Sequence, residues 1–407
     1  MSEREINIVV VGGSWAGVKA VRQLLEIHHF DYPNMRITLV EQRSHYFHKS
    51  GIIRGMVDQR YAERLFIPYN RVFSDGGIIN PNHKFVCGRV EQVHNTFIDL
   101  EGGRRVFFDY LILATGAQYQ SLPIVQANSI EESRMLFTSM RESIEKASRI
   151  LFVGGGAVGV GMCGEIAENY PRKKLMLAHA RNHLLNGDLG DGVSTDTEKR
   201  LKKMGVQLIL GEIVLPSISP SNEQYSDRRP GPQVFTTKTG HTIECDLAIW
   251  TTGARPETGY MSTLAPSIWE RPLVDPMTGR IQVTSTLQLD DRLYPHIFAV
   301  GDVNSLSIAE KYAPNAVAQA KTAVENIHIL MEDGHDYRAK VPTSGGDFAH
   351  RQSYLMPYMG VRSQVVVPLG RKHEVSTSWG KKLVSWAKSS KKGREYMLDK
   401  AAKMLNY

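Results

Sequence analysis

Cysteine is scarce in this 407-residue chain: Cys87, Cys163 and Cys245 are far apart and never in CxxC spacing. That excludes a dithiol redox motif and a disulfide-built scaffold, and it reads as a reducing, cytoplasmic setting. No stretch approaches the roughly 20 apolar residues that span a bilayer. The first apolar strand begins at Ile6, which leaves no room for a secretory or mitochondrial presequence. Ser2 stands where N-myristoylation requires glycine. No Ser-His-Asp arrangement is visible, and no cysteine or carboxylate completes a ligand set around His45 and His48, so no metal is expected. The body of the chain also lacks an excess of either charge. The formal +7 is concentrated in residues 380–407, where eight Lys and Arg face only Glu395 and Asp399. The rest is close to neutral and gives no electrostatic reason to expect nucleic acid.

What is present is a duplicated pattern. The chain is too long for one ordinary core, and 42% hydrophobic residues is normal for a globular protein. The apolar run Ile6–Val11 leads into Gly12-Gly13-Ser14-Trp15-Ala16-Gly17. A helical pattern with Val18, Val21, Leu24 and Leu25 follows, and then a strand Ile37–Val40 ending in Glu41. The pattern restarts at Ile150–Val153 with Gly154-Gly155-Gly156-Ala157-Val158-Gly159, a helix over 157–169 and a strand Leu175–Ala178. Further strands are expected at 206–210 and 247–250, and 216–232 reads as a surface loop. A third glycine signal, Ile297–Asp302, precedes an Ala-rich helix from Ala313. The fold class is therefore α/β: two Rossmann-like dinucleotide-binding domains plus a small C-terminal segment.

In the first loop Gly12 permits the tight turn, Gly13 and Ser14 bring backbone close to a pyrophosphate, and Gly17 lets helix pack on strand. Either such a loop is a plain turn, or its helix start receives phosphates on unpaired amides. Two on one chain favour two dinucleotides. Glu41 is placed to accept from ribose hydroxyls. The second loop has Gly154, Gly156 and Gly159, but its strand ends in His179 and Arg181 with no acid. That pattern permits the 2′-phosphate of NADPH without excluding NADH, unless Arg181 is only a solvated loop charge. Asp302 is positioned for a ribityl chain. Lys311 either assists the flavin or is solvated, and Glu165 either lines the nicotinamide or is an ordinary helical acid. His45 and His48 are expected near the flavin, and Cys163 is expected as a small buried helix residue.

The set GGSWAG, ITLVE, LILATGA, FVGGGAVGVGMCGEIA, TTGARP and FAVGDV, in this order, resembles the two-dinucleotide-binding-domain flavoproteins related to pyridine nucleotide-disulfide reductases. Within them it is most similar to apoptosis-inducing-factor-like, ferroptosis-suppressor-type NAD(P)H:quinone oxidoreductases, and more distantly to type II NADH dehydrogenases. The segment Glu374–Trp379 also looks like the ending of the former group. The resemblance implies FAD at Gly12, Ser14, Gly17, Glu41, Val90 (through its backbone), Gly116 and Asp302. It implies NAD(P)H at Gly154, Gly156, Gly159, Glu165 and Gly253. It further implies a discontinuous FAD domain, 1–120 and 271–340, with the NAD(P)H domain, 121–270, inserted between. A mixed segment, 341–379, and a basic tail, 380–407, follow. Two departures stand out: Gly161 replaces an acid expected near the nicotinamide, and Ala316-Val317 replaces an Ala-Gln pair beside the quinone.

These readings predict hydride transfer from NADPH or NADH to FAD and onward to a quinone or other small acceptor. A flavin-dependent oxidase or reductase of a specialised metabolite, or a slow NAD(P)H-sensing flavoprotein, are the alternatives. Leu383, Trp386 and Ala387, and then Met397, Ala401, Met404 and Leu405, fall at helical spacing among lysines. The tail is thus either a solvated basic extension or an amphipathic segment on an anionic membrane surface.

Overall fold

The computed structural model describes residues 5–30, 32–75, 78–79, 81–119, 127–185, 191–216, 231–268, 271–307, 311–332, 354–361, 365–378, 381–383 and 395–407. In chain order the first elements are β1 (Ile6–Val11), α1 (Trp15–Phe30), β2 (Met35–Glu41), α2 (Ile52–Gly55), β3 (Lys84–Cys87), β4 (Tyr110–Leu113) and α3 (Ile130–Lys146). The second set is β5 (Arg149–Val153), α4 (Ala157–Asn169), β6 (Lys174–His179), α5 (Asp191–Lys203), β7 (Val206–Leu210) and β8 (Leu247–Trp250). Then come β9 (Ile297–Ala299), α6 (Ala313–Glu332), β10 (Val365–Pro368), β11 (Glu374–Ser378), β12 (Lys381–Leu383) and α7 (Leu398–Met404).

Strands that read as unbroken apolar runs become the centres of parallel sheets, because both their faces are covered. Ile8 to Val11 are all buried in β1, and Ile150 to Val153 are all buried in β5. The first sheet has the order β9-β4-β1-β2-β3, the second β7-β6-β5-β8, and every pairing in both is parallel. In each, the glycine-loop strand lies between the strand that follows its helix and a strand from much later in the sequence. The order reverses there, and such a reversal opens a crevice at the carboxyl ends of the strands. The first sheet recruits β9 from beyond the second unit, so the second unit is inserted within the first. The two crossing connections, Ala117–Tyr119 and Ala254–Pro256, run side by side as an antiparallel pair.

Helix α6 packs along α1, and Ala316, Ala320 and Ala323 of α6 are buried in the same core. One hydrophobic cluster runs from β1 and α1 through α2 and α4 to Leu398 and Ala401 of the last helix and Leu405 just after it. The two units therefore share a core. The expected strand at 364–367 is the first of an antiparallel three-stranded sheet, β10-β11-β12, whose edge lies against α4.

The tail differs in part from expectation. Ala401 and Leu405 are fully buried in the shared core, so the apolar side of α7 is already occupied. That corrects the membrane-surface reading for residues 395–407. Residues 384–394, with Trp386 and Ala387, lie outside the described residues, as do 217–230 of the expected surface loop.

Candidate functional site

The first crevice opens where β1 meets β4. Gly12 turns the chain with φ +102°, a left-handed value that side chains resist. A Cβ there would strike the Ala114 carbonyl at the end of β4, and one on Gly17 would strike the Gly12 carbonyl. The loop therefore closes only with glycine at both positions. Gly13 N–H donates to Glu41 Oε2 at 2.7 Å, tying the loop to the end of β2. The Tyr69 hydroxyl donates to the Gly13 carbonyl at 2.6 Å from the other side. Around this turn lies a cavity of about 490 Å³ whose wall includes Gly12, Gly13, Ser14, Glu41, Lys49 and Val90. Ser14 immediately precedes α1, so the first amides of that helix face the cavity with their positive dipole end.

The second crevice repeats the construction. Gly154 has φ +117°, and a Cβ on it would lie 2.8 Å from Thr251 Oγ1 at the end of β8. A Cβ on Gly159 would strike the Gly154 carbonyl. Thr251 Oγ1 donates to the Val153 and Gly154 carbonyls at 3.1 and 2.9 Å, bracing the turn. Gly156 is the N-cap of α4, with open space where its side chain would stand. Gly155 N–H donates to His179 Nδ1 at 3.1 Å. This bond is the counterpart of the Gly13–Glu41 bond, with a neutral imidazole where the first unit has a carboxylate. Burial and the Arg181 charge both lower the His179 pKa, which keeps the ring neutral at pH 7.

The remaining expected residues divide. Gly116 (φ +71°) and Gly253 (φ +57°) sit just past β4 and β8 as left-handed turns, and the Gly116 carbonyl accepts from Glu257 N–H at 3.2 Å. Asp302 follows β9 in a turn held by Gln319, whose Oε1 accepts from Gly301 N–H at 2.7 Å. Burial pushes the Asp302 carboxyl up, while the charges of Lys311, Lys49 and Arg280 pull it back. Lys311 is not a solvated lysine. Its ammonium donates to the Gly301 carbonyl (3.1 Å), the Asn304 carbonyl (2.7 Å) and Asn304 Oδ1 (2.6 Å), so it holds the turn that carries Asp302. Glu165 is fully buried. Instead of facing a crevice, its carboxylate accepts from Arg54 and from the Tyr396 hydroxyl.

Gly161 lies against α2: a Cβ there would stand 3.1 Å from the Ile53 side chain, which would have to give by a few tenths of an ångström. His45 lines the first cavity, and His48 lies behind it, fully buried against Trp15 at 5.9 Å between ring centres. Cys163 is buried, and burial pushes its thiol up. Among the described residues, no group of three or more His, Cys, Asp or Glu lies together as a metal would require. Also among them, no helix is long and apolar enough to cross a membrane.

Sequence reading missed Tyr69, Lys49 and Arg43. Arg43 lies two residues beyond Glu41 and within 3.5 Å of its carboxylate, and that local spacing was the available signal. Burial lowers the Lys49 pKa, as does the Arg43 charge, against Glu41, Asp302 and Glu257.

The profile described as "Pyridine nucleotide-disulphide oxidoreductase" matches residues 6–326, spanning both crevices. The chain belongs to this family. It is an FAD-dependent NAD(P)H oxidoreductase of the pyridine nucleotide-disulphide oxidoreductase type. It is 29% identical over 361 residues to Apoptosis-inducing factor homolog B of Dictyostelium discoideum, covering 85% of this chain and 87% of the relative. It is 29% identical over 328 residues to Ferroptosis suppressor protein 1 of Taeniopygia guttata, covering 79% of this chain and 80% of the relative. In fold it resembles NDH2 from Plasmodium falciparum, solved in complex with NADH. The TM-score is 0.68 at 12% identity, covering 99% of this chain and 95% of the other. As a member of this oxidoreductase family the chain carries two crevices of matching construction, one of them large, polar and walled by an acid and a lysine.

Proposed function

We propose that FAD occupies the first crevice, NAD(P)H the second, and that a quinone is the electron acceptor. The observation that carries this reading is the repeated glycine turn, built at the order reversal of each sheet and closed only by glycine. Gly12, Gly13 and Ser14 would approach the FAD pyrophosphate, with Gly17 supporting the turn, Glu41 and Val90 at the adenosine end, and Gly116 and Asp302 toward the flavin. Lys311 positions Asp302. Gly154, Gly156 and Gly159 would approach the nicotinamide dinucleotide, with His179, Arg181 and Gly253 around it. Bound FAD supplies a centre that takes up hydride and releases electrons. The side chains orient both coenzymes and hold charge around them.

The acceptor argument rests on what the protein lacks. Cys163 and Cys245 are buried and Cys87 is exposed, all three unpaired. No dithiol stands between the flavin and the outside, so electrons leave directly to a diffusible acceptor. The similarity to ferroptosis-suppressor-type proteins favours a quinone. Anaerobic titration of the purified yellow protein with NADPH should bleach the flavin, and a soluble quinone should restore it. Gly156→Trp is the cleanest control, because its side chain enters open space within the second crevice. It should abolish bleaching while the flavin stays bound; expulsion of the flavin would refute the assignment of the two crevices.

Arg181 decides the choice of reductant. An Arg–phosphate contact of about 1.5–3 kcal/mol corresponds to roughly ten- to a hundredfold in affinity. Arg181→Glu should therefore weaken NADPH by at least about tenfold and leave NADH little changed, as read from the dissociation constants in rapid-mixing reduction. Equal effects on both would mean that Arg181 does not meet the 2′-phosphate.

A further inference from the structure

The C-terminal segment returns to the molecule at a buried polar junction between the two units. Glu165, on α4 of the second unit, accepts at Oε1 from Arg54 Nε (3.1 Å) and Nη2 (2.6 Å) and from the Tyr396 hydroxyl (2.9 Å). Arg54 belongs to α2 of the first unit, and its guanidinium lies 4.9 Å from the centre of the Tyr396 ring. Tyr396 itself is fixed from the first unit. Its carbonyl accepts from His48 Nε2 at 2.7 Å, and the carbonyl of Glu395 accepts from the Tyr61 hydroxyl at 2.9 Å. Both Tyr396 (φ 48°) and Met397 (φ 61°) are left-handed, an unfavourable conformation for residues with bulky side chains. The Tyr396 ring is buried, and α7, which follows it, packs into the shared core. Beside the junction, a Cβ on Gly164 would lie 2.7 Å from the Leu369 backbone, so the C-terminal sheet also presses on α4.

A buried ion pair is weak evidence for stability, since an apolar replacement is often as stable; its best-attested use is to fix register between packed elements. Here the elements are the helices beside the two crevices. We propose that Tyr396 is a positioning residue: with Arg54 and Glu165 it pins the NAD(P)H unit against the FAD unit, so that the C-terminal segment sets the alignment for hydride transfer. The proposal rests on the oxidoreductase reading above. Tyr396 does not line the cavity at the first glycine turn, so its action on the reaction passes through Arg54 and Glu165.

The test is Tyr396→Phe, which removes one hydroxyl and keeps the ring. A misplacement of about 1 Å can cost a hundredfold in rate. The limiting rate of anaerobic flavin reduction at saturating NADPH should fall about tenfold or more. FAD content, the NADPH dissociation constant and reoxidation of dithionite-reduced protein should stay as in the parent. An unchanged limiting rate with a lowered melting temperature would overturn the proposal, since the hydroxyl would then serve only the fold. Loss of FAD would overturn it too, since Tyr396 would then serve the first crevice. Hydrogen exchange gives a reading independent of turnover. Peptides covering 52–55 and 157–169 should both exchange faster in the variant, and unchanged protection in either overturns the pin. If neither NADPH nor NADH reduces the parent protein, the oxidoreductase reading fails by itself, and the exchange result still decides whether the junction joins the two units.

Discussion

Arg54→Ala should lower the unfolding free energy by about 3–5 kcal/mol, because it leaves a carboxylate uncompensated inside the protein. Glu165 has no exposed surface, and Arg54 supplies two of the donors to its Oε1. Its other oxygen, Oε2, has no hydrogen-bond partner among the described residues. The Tyr396 hydroxyl alone cannot offset the desolvation of a full charge. Chemical denaturation with FAD in excess measures the loss. A second variant isolates the cause: Arg54→Met combined with Glu165→Leu removes both charges and keeps apolar volume. It should recover most of the lost stability, while flavin reduction stays slow if alignment depends on the polar junction. A loss below about 1 kcal/mol in Arg54→Ala would mean that Glu165 takes up a proton or finds water.

Acidification should weaken the fold through three buried imidazoles. His48 is fully buried and His45 and His296 nearly so, and desolvation lowers each to a pKa of about 4. Hydrogen bonds to the Tyr396 and Asn95 carbonyls, and for His296 the Asp109 charge, act in the opposite direction and are outweighed. In the unfolded chain all three titrate near 6.5. The folded pKa is the lower one, so the stability is fully present above pH 6.5 and is lost as pH falls toward 4. At pH 5 the loss is about 2 kcal/mol for each histidine. Denaturation curves at pH 7.5, 6 and 5 should show this fall, and His48→Gln should flatten it by about a third. An unchanged slope in that variant would mean that His48 is already charged in the native protein.

The parts legible in the sequence are those whose cause is local. Parallel strands covered on both faces read as apolar runs, so β5, β7 and β8 fall within a residue of expectation. Gly12, Gly17, Gly154 and Gly159 were legible because a turn that approaches another strand leaves no room for Cβ. Contacts closed over long sequence distances leave no such periodic trace. Arg54 and Glu165 are 111 residues apart, and Glu165 and Tyr396 are 231 apart. Nothing near Glu165 distinguishes a helix that faces a nicotinamide from one that faces a neighbouring unit. Lys311 is a different case: its three acceptors lie only 7 and 10 residues before it, in an irregular turn that leaves no periodic trace. In the tail the apolar spacing was read correctly, but its partner was the protein's own core. Spacing shows that a helix has an apolar side without showing what covers it.

The placement of the thiols has a practical consequence for spectroscopy. Two of the three are sealed in cores, and the third, Cys87, lies on the surface one residue before Gly88, which belongs to the wall of the first cavity. A maleimide dye should therefore find a single address without any engineered cysteine, next to the crevice assigned to the flavin. Oxidised isoalloxazine absorbs blue light, so a blue-emitting coumarin maleimide at this site would report coenzyme loading through its brightness.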